Sequence, residues 1–166
     1  MTMEDAQVAD LIEELADRGL TIATAESLTG GGLVARLVDV PGASRVVRGG
    51  VCTYAVDTKT SVLGVSPERL ARVGPVDQQV AIQMAKGVRS LFGASIGVST
   101  TGVAGPGAAD GFPAGTIHIA CAYPAGTTHR LIHVEGDRAL VRAGAIDAAL
   151  RLVRDVLDFA GVQAED

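Results

Sequence analysis

Tryptophan is absent from this 166-residue sequence, and other aromatics are few: two tyrosines and three phenylalanines. A core without large rings must be filled by Val, Leu, Ile and Ala, which suits a sheet sandwiched between helices. Cysteine is scarce too. Cys52 and Cys121 stand far apart in separate strand-like runs with no Cys-x-x-Cys, so they read as reduced core thiols. An excess of positive charge is also missing. The net charge of −5 argues against nucleic acid as the main partner. No apolar run approaches the ~20 residues of a membrane span, and the acidic start Met1-Thr2-Met3-Glu4-Asp5 is unlike a secretion signal. The expectation is a cytoplasmic protein without membrane contact. His118, His129 and His133 lack metal-ligand spacing, so no metal and no other cofactor is expected. A Gly-x-Ser-x-Gly elbow is absent, which leaves a Ser-His-Asp hydrolase unsupported. Rossmann and Walker spacings are absent as well.

Glycine, by contrast, is abundant, with 21 residues, many of them in two clusters. Between the clusters the hydrophobic pattern alternates between helix and strand periods. Val8, Leu11, Ile12 and Leu15 define a first amphipathic helix stopped by Gly19. Strands are predicted over 21–25, over 46–54 with an irregularity at Gly49-Gly50, and over 96–101. A helix follows Gly32, a short helix capped by Asp57 runs to Leu63, and Ser66-Pro67 opens another. A longer helix starts near Asp77, with Val80, Met84, Val88 and Phe92 on one face. Strands over 116–123 and 130–135 form a hairpin through Pro124-Ala125-Gly126. The last helix spans about 137–160, with a stripe of Val141, Ala145, Ala148, Leu152, Val156 and Phe159. The pattern predicts a single α/β domain over 1–166, a three-layer α/β/α sandwich on a mixed, mostly parallel five-stranded sheet. Residues 161–166 are expected to form a frayed tail.

Several features could carry chemistry. In Ala25-Glu26-Ser27-Leu28-Thr29-Gly30-Gly31-Gly32, consecutive glycines open a helix at a cost of about 1 kcal/mol each relative to Ala. Free N–H groups there would seat a phosphate or carboxylate beside the Ser27 and Thr29 hydroxyls. Equally, either hydroxyl could simply cap the helix. The loop Thr101-Gly102-Val103-Ala104-Gly105-Pro106-Gly107 follows a parallel strand and would share one cleft with the first turn. Lys59 falls in the first turn of its helix, where the dipole disfavours a cation, so it is either solvated or has a depressed pKa. Tyr54 ends an apolar strand with its hydroxyl free for water or for chemistry. Arg138 and Arg142, an i, i+4 pair at the start of the last helix, also oppose the dipole unless an anion lies nearby.

The run Thr24-Ala25-Glu26-Ser27-Leu28-Thr29-Gly30-Gly31 resembles the TAESxTGG signature of the CinA C-terminal domain, the PncC-like nicotinamide-nucleotide amidohydrolases. Further matches follow in order. They are Asp39-Val40-Pro41-Gly42-Ala43-Ser44, Tyr54 with Lys59, Leu63-Gly64-Val65, Thr101-Gly102-Val103-Ala104-Gly105-Pro106, Pro113-Ala114-Gly115-Thr116, and Gly136-Asp137-Arg138 with Arg142. The sequence departs from the family pattern at Leu28, often Cys, at Gln78, usually Glu, and at Ala108-Ala109-Asp110-Gly111, where two glycines are usual. The resemblance implies deamidation of nicotinamide mononucleotide (NMN) to nicotinate mononucleotide and ammonia. Ser27 would be the nucleophile, Lys59 its base or proton relay, and Tyr54 an assisting group. Thr29, Gly30, Gly31, Thr101, Gly102 and Gly105 would hold the nucleotide or polarise its amide. Arg138 and Arg142 would face its anionic end. The alternative is a catalytically silent nucleotide-binding or interaction domain. A homodimer or higher homo-oligomer is the default expectation for a compact α/β enzyme.

Overall fold

The computed structural model describes residues 2–165. Its elements, in order, are α1 (Asp5–Asp17), β1 (Ile22–Glu26), α2 (Gly32–Val38), β2 (Val47–Cys52), α3 (Val56–Leu63), α4 (Pro67–Val73), α5 (Gln78–Phe92), β3 (Ile96–Gly102), β4 (Thr116–Tyr123), β5 (Gly126–His133) and α6 (Arg138–Phe159). The strands form one sheet in the order β2-β1-β3-β4-β5. β1 pairs in parallel with β2 and β3, while β3–β4 and β4–β5 are antiparallel. The sheet is therefore mixed, as the hairpin requires.

Burial explains the layers. All five residues of β1 are buried, as expected for a central strand covered on both faces. Ile22, Val98, Ile117, Ile119 and Cys121 pack toward α1, α2 and α6. Ala23 and Ala25 pack with Val80, Met84 and Val88 of α5 on the opposite face. The second face is built for close approach, because a Cβ on Gly97 would collide with the Ala85 carbonyl of α5. No helix among the described residues is long and apolar enough to cross a membrane.

Several boundaries differ from expectation for identifiable reasons. The irregularity in β2 is a bulge: Ile22 faces Val47 but Ala23 faces Gly49, which leaves Arg48 as the extra residue. β5 begins at Gly126 rather than 130, since Tyr123 pairs directly with Gly126. Its first half, Gly126-Thr127-Thr128-His129, carries no apolar alternation, and no residue of this edge strand is fully buried. α3 is capped at Ala55, not Asp57, so Asp57 becomes a first-turn acid that complements the helix dipole. On α6, Phe159 is 86% exposed and Ala149 and Val153 take core positions, because the last turn runs past the edge of the apolar layer. Cys52 is exposed, contrary to the core expectation, whereas Cys121 is buried and its thiol is pushed up to about 12 by that burial.

Within the expected tail, one residue is anchored. Val162 is buried in the main core, and the Arg18 guanidinium donates to the Leu157 carbonyl (2.9 Å) and the Val162 carbonyl (3.4 Å). One isolated apolar residue after Gly161 gives no periodic signal, so sequence could not reveal this anchor. Asp166, part of the expected tail, lies outside the described residues.

Candidate active site

Three parallel strands deliver their carboxyl ends to one edge of the sheet, at Glu26, Cys52 and Gly102. Each is followed by a loop that carries a residue singled out from sequence. In open α/β sheets this edge is where ligands bind.

The turn after β1 is held from within. Glu26 is fully buried, and its carboxylate accepts from the Leu33 N–H (2.8 Å), the Val34 N–H (3.0 Å), the Thr29 hydroxyl (2.7 Å) and the Thr24 hydroxyl (3.2 Å). The expected anion seat at the start of α2 is thus occupied by the protein's own carboxylate. Gly30 (φ 63°) and Gly31 (φ 96°) take left-handed conformations that let the chain fold back over Glu26. Arg142 supports the same turn, donating from Nε to the Leu28 carbonyl and from Nη2 to the Thr29 carbonyl, each at 2.9 Å. Thr29, Gly30, Gly31 and Arg142 therefore build the turn and do not line the cleft.

This network makes a stability prediction. Glu26→Ala would strand two backbone N–H groups and two hydroxyls in the interior. The expected loss is about 3–5 kcal/mol, read as a lower urea midpoint. A loss below about 1 kcal/mol would show that water replaces the carboxylate.

Ser27 emerges from this turn 9% exposed, its N–H donating to the Thr100 carbonyl at 3.1 Å. Lys59 of α3 comes up beside it. The lysine is fully buried, and its Nζ donates to Ser27 Oγ at 2.9 Å and to the Thr53 carbonyl. Burial lowers its pKa from 10.5 to about 8, opposed by the neighbouring Cys52 and Asp110. Of the two readings open for this lysine, solvated or depressed, the structure gives the second.

Tyr54 is 63% exposed, and its hydroxyl accepts from Arg138 Nη2 at 3.2 Å. Arg138 Nη1 donates to the Gly105 carbonyl at 2.7 Å, so one guanidinium links the loops after β2 and β3. Among the described residues the Tyr54 hydroxyl has no hydrogen bond to Ser27 or Lys59. Ser27, Tyr54, Lys59, Thr101, Gly102, Gly105 and Arg138 all line one cleft of about 290 Å³. The Thr101 hydroxyl is already committed to the Pro75 carbonyl (2.8 Å), and its backbone lies in the β3–β4 ladder opposite His118. Gln78 does not reach the cleft, but Gly107, Ala109 and Asp110 of the atypical loop do. Larger hollows lie beside Lys86 and Gly126 (about 590 Å³) and beside Glu14 and Arg154 (about 620 Å³). Neither contains a nucleophile paired with a base.

Sequence reasoning missed the role of Glu26 and the position of Asp110. For Asp110 a signal existed, since Asp-Gly is a turn dipeptide. For Glu26 none did, because its partners are spread from 24 to 34. A serine hydroxyl held at 2.9 Å from a buried amine poised near neutrality is the arrangement of a Ser–Lys acyl-transfer pair.

Comparison with known proteins bears on the family and the fold. A family model described as the CinA C-terminal domain matches residues 4–157. A CinA-like protein of Frankia casuarinae is 50% identical over 143 residues, which cover 86% of this chain and 33% of that protein. The competence damage-inducible protein A (ComA) from Klebsiella pneumoniae superposes with a TM-score of 0.89 at 32% identity, covering 95% of this chain and 99% of that one. A competence-damaged protein (CinA) superfamily protein from Escherichia coli gives 0.88 at 30% identity, covering 92% and 90%. The chain spans about a third of the length of curated relatives it matches, 33 to 38% in four of them.

Proposed function

The chain belongs to the CinA C-terminal domain family, and from that footing we propose that it is a cytoplasmic amidohydrolase acting on NMN. Water and NMN would give nicotinate mononucleotide and ammonia. The observation that carries this reading is the 2.9 Å contact between Lys59 Nζ and Ser27 Oγ in a closed corner of the cleft.

In the acylation half, neutral Lys59 takes the Ser27 proton as Oγ attacks the carboxamide carbon. The amide oxygen, set against the backbone N–H of Gly102, would carry the developing negative charge. Collapse of the tetrahedral species breaks the C–N bond, and the Lys59 ammonium returns its proton to the departing nitrogen, releasing ammonia. An ester on Ser27 remains. Lys59, neutral again, then draws a proton from water as that water attacks the ester, and the second collapse frees the carboxylate and restores Ser27. Arg138, tied to both walls of the cleft, is placed to receive the 5′-phosphate with its remaining N–H donors. Tyr54 then acts by holding Arg138 rather than by moving protons.

The test is direct: purified protein is incubated with NMN and with related pyridine nucleotides, and ammonia is measured. Release from NMN supports the reading. Saturable binding without ammonia would instead make the chain a silent nucleotide-binding domain.

Lys59 also predicts a pH dependence. Because the base must be unprotonated and its pKa is lowered to about 8, kcat/KM should climb about tenfold per pH unit below that value and level off above it. Rates between pH 6 and 10 check this. A flat profile would remove Lys59 as the base.

A further inference from the structure

The loop that closes the cleft opposite Ser27 ends in an ordered tip. Ala109 and Phe112 exchange both backbone hydrogen bonds, at 3.0 and 2.9 Å, across the pair Asp110-Gly111. Both central residues have positive φ, 53° at Asp110 and 82° at Gly111. That is the pattern of a two-residue type I′ turn, for which Asp-Gly is a favoured pair. The turn explains the left-handed backbone at Asp110 and fixes the direction in which its side chain leaves the loop.

Asp110 lines the cleft, and its charge acts on Lys59. The other charged groups lining the cleft are cations, Lys59 and Arg138. Among the described residues Asp110 forms no ion pair with either of them or with any other residue. A cleft meant for a purely anionic ligand gains nothing from an unpaired carboxylate on a rigid turn, since like charges at short range repel. A ligand carrying both signs fits better, with its anionic end toward Arg138 and a cationic part toward Asp110.

We propose that Asp110 is a specificity-determining residue that recognises the positively charged pyridinium ring of a zwitterionic nucleotide. This inference rests on the amidohydrolase reading for the identity of that nucleotide. NMN has such a ring, whereas reduced NMN, with the same ribose, phosphate and carboxamide, has a neutral dihydropyridine. The carboxylate makes the site prefer the oxidised ring over the reduced one.

The test uses Asp110→Asn, because Asn-Gly is equally favoured in a type I′ turn and the substitution removes only the charge. KM for NMN should rise about tenfold with kcat within about twofold, as expected for one charge–charge contact near the surface. In a Ser27→Ala background, where NMN is not consumed, Asp110→Asn should weaken the dissociation constant of oxidised NMN, read by calorimetry, by the same factor, and that of reduced NMN should change less than about twofold. Equal weakening of both forms would make Asp110 a structural residue of the loop and overturn the proposal. So would an unchanged affinity for NMN. If the wild-type chain binds NMN but releases no ammonia, the amidohydrolase reading falls while the oxidised-to-reduced ratio still decides the role of Asp110. If the wild-type chain binds neither form, both readings fall.

Discussion

Lys59→Met is expected to cut turnover about a thousandfold and, at pH 7, to make the protein more stable. The activity loss follows from removing the proposed base, which lies 2.9 Å from Ser27 Oγ. The stability gain follows from proton linkage. The folded-state pKa of about 8 lies below the unshifted value of 10.5. Between those values the unfolded chain binds more protons than the folded one, so wild-type stability rises with pH across that window. Below pH 8 the penalty for burying the ammonium is present in full, roughly 3 kcal/mol on the order-of-magnitude scale of 1.36 kcal/mol per pKa unit. Methionine fills the same space with no charge. It forfeits the bonds to Ser27 and the Thr53 carbonyl, at a cost of about 1–2 kcal/mol. The net expectation is a gain of about 1–2 kcal/mol at pH 7 that shrinks toward pH 10. Urea unfolding at both pH values measures it. A variant less stable than wild type at pH 7 would show that the Lys59 contacts outweigh its desolvation.

Ser27→Ala is the companion experiment, with the larger effect on chemistry and little effect on the fold. Loss of a covalent nucleophile should lower kcat by about 10⁴ or more. The backbone of residue 27 keeps its bonds to Thr100 and Gly30, and the turn retains its glycines and Glu26. The hydroxyl's hydrogen-bond partner is Lys59. Unfolding free energy should therefore stay within about 1 kcal/mol of wild type, and NMN affinity within about threefold. Full activity in this variant would rule out an acyl-enzyme on Ser27 and leave only direct attack by water.

Much of the architecture was legible in the sequence because helix and strand periods alternate cleanly. Val8, Leu11, Ile12 and Leu15 are buried as their spacing requires, and the Ser66, Asp77 and Asp137 side chains cap their helices. The burial of Lys59 was not legible. Its helix reads Val56-Asp57-Thr58-Lys59-Thr60-Ser61-Val62-Leu63, whose apolar residues sit only at the two ends, and of these Val56 and Val62 are exposed, so no continuous stripe marks an inward face. What buries the lysine is tertiary: α3 sits tightly on α5, where a Cβ on Gly87 would collide with the Leu63 carbonyl. The resemblance pointed to Ser27, Tyr54 and Lys59 together. The structure joins the first and third and turns the tyrosine toward Arg138. Side-chain pairing across strands was equally hidden. His118 and His129 lie eleven residues apart in the chain, yet their ring nitrogens are 2.8 Å apart across the hairpin. Such a contact depends on register, which local periodicity does not encode.

The position of Glu26 has a consequence for how this protein can change. The carboxylate beside the reactive serine is wholly spent on closing the turn and the first helix behind it, so substitutions there would read as loss of soluble protein in any activity screen. Asp110, Tyr54 and Arg138 hang instead from exposed loops and a helix start, and little of the interior depends on them. On the proposed function, ligand preference and foldability would be carried by separate sets of residues. A library restricted to Asp110, Tyr54 and Arg138 would then explore other ligands while Ser27 and Lys59 stayed intact.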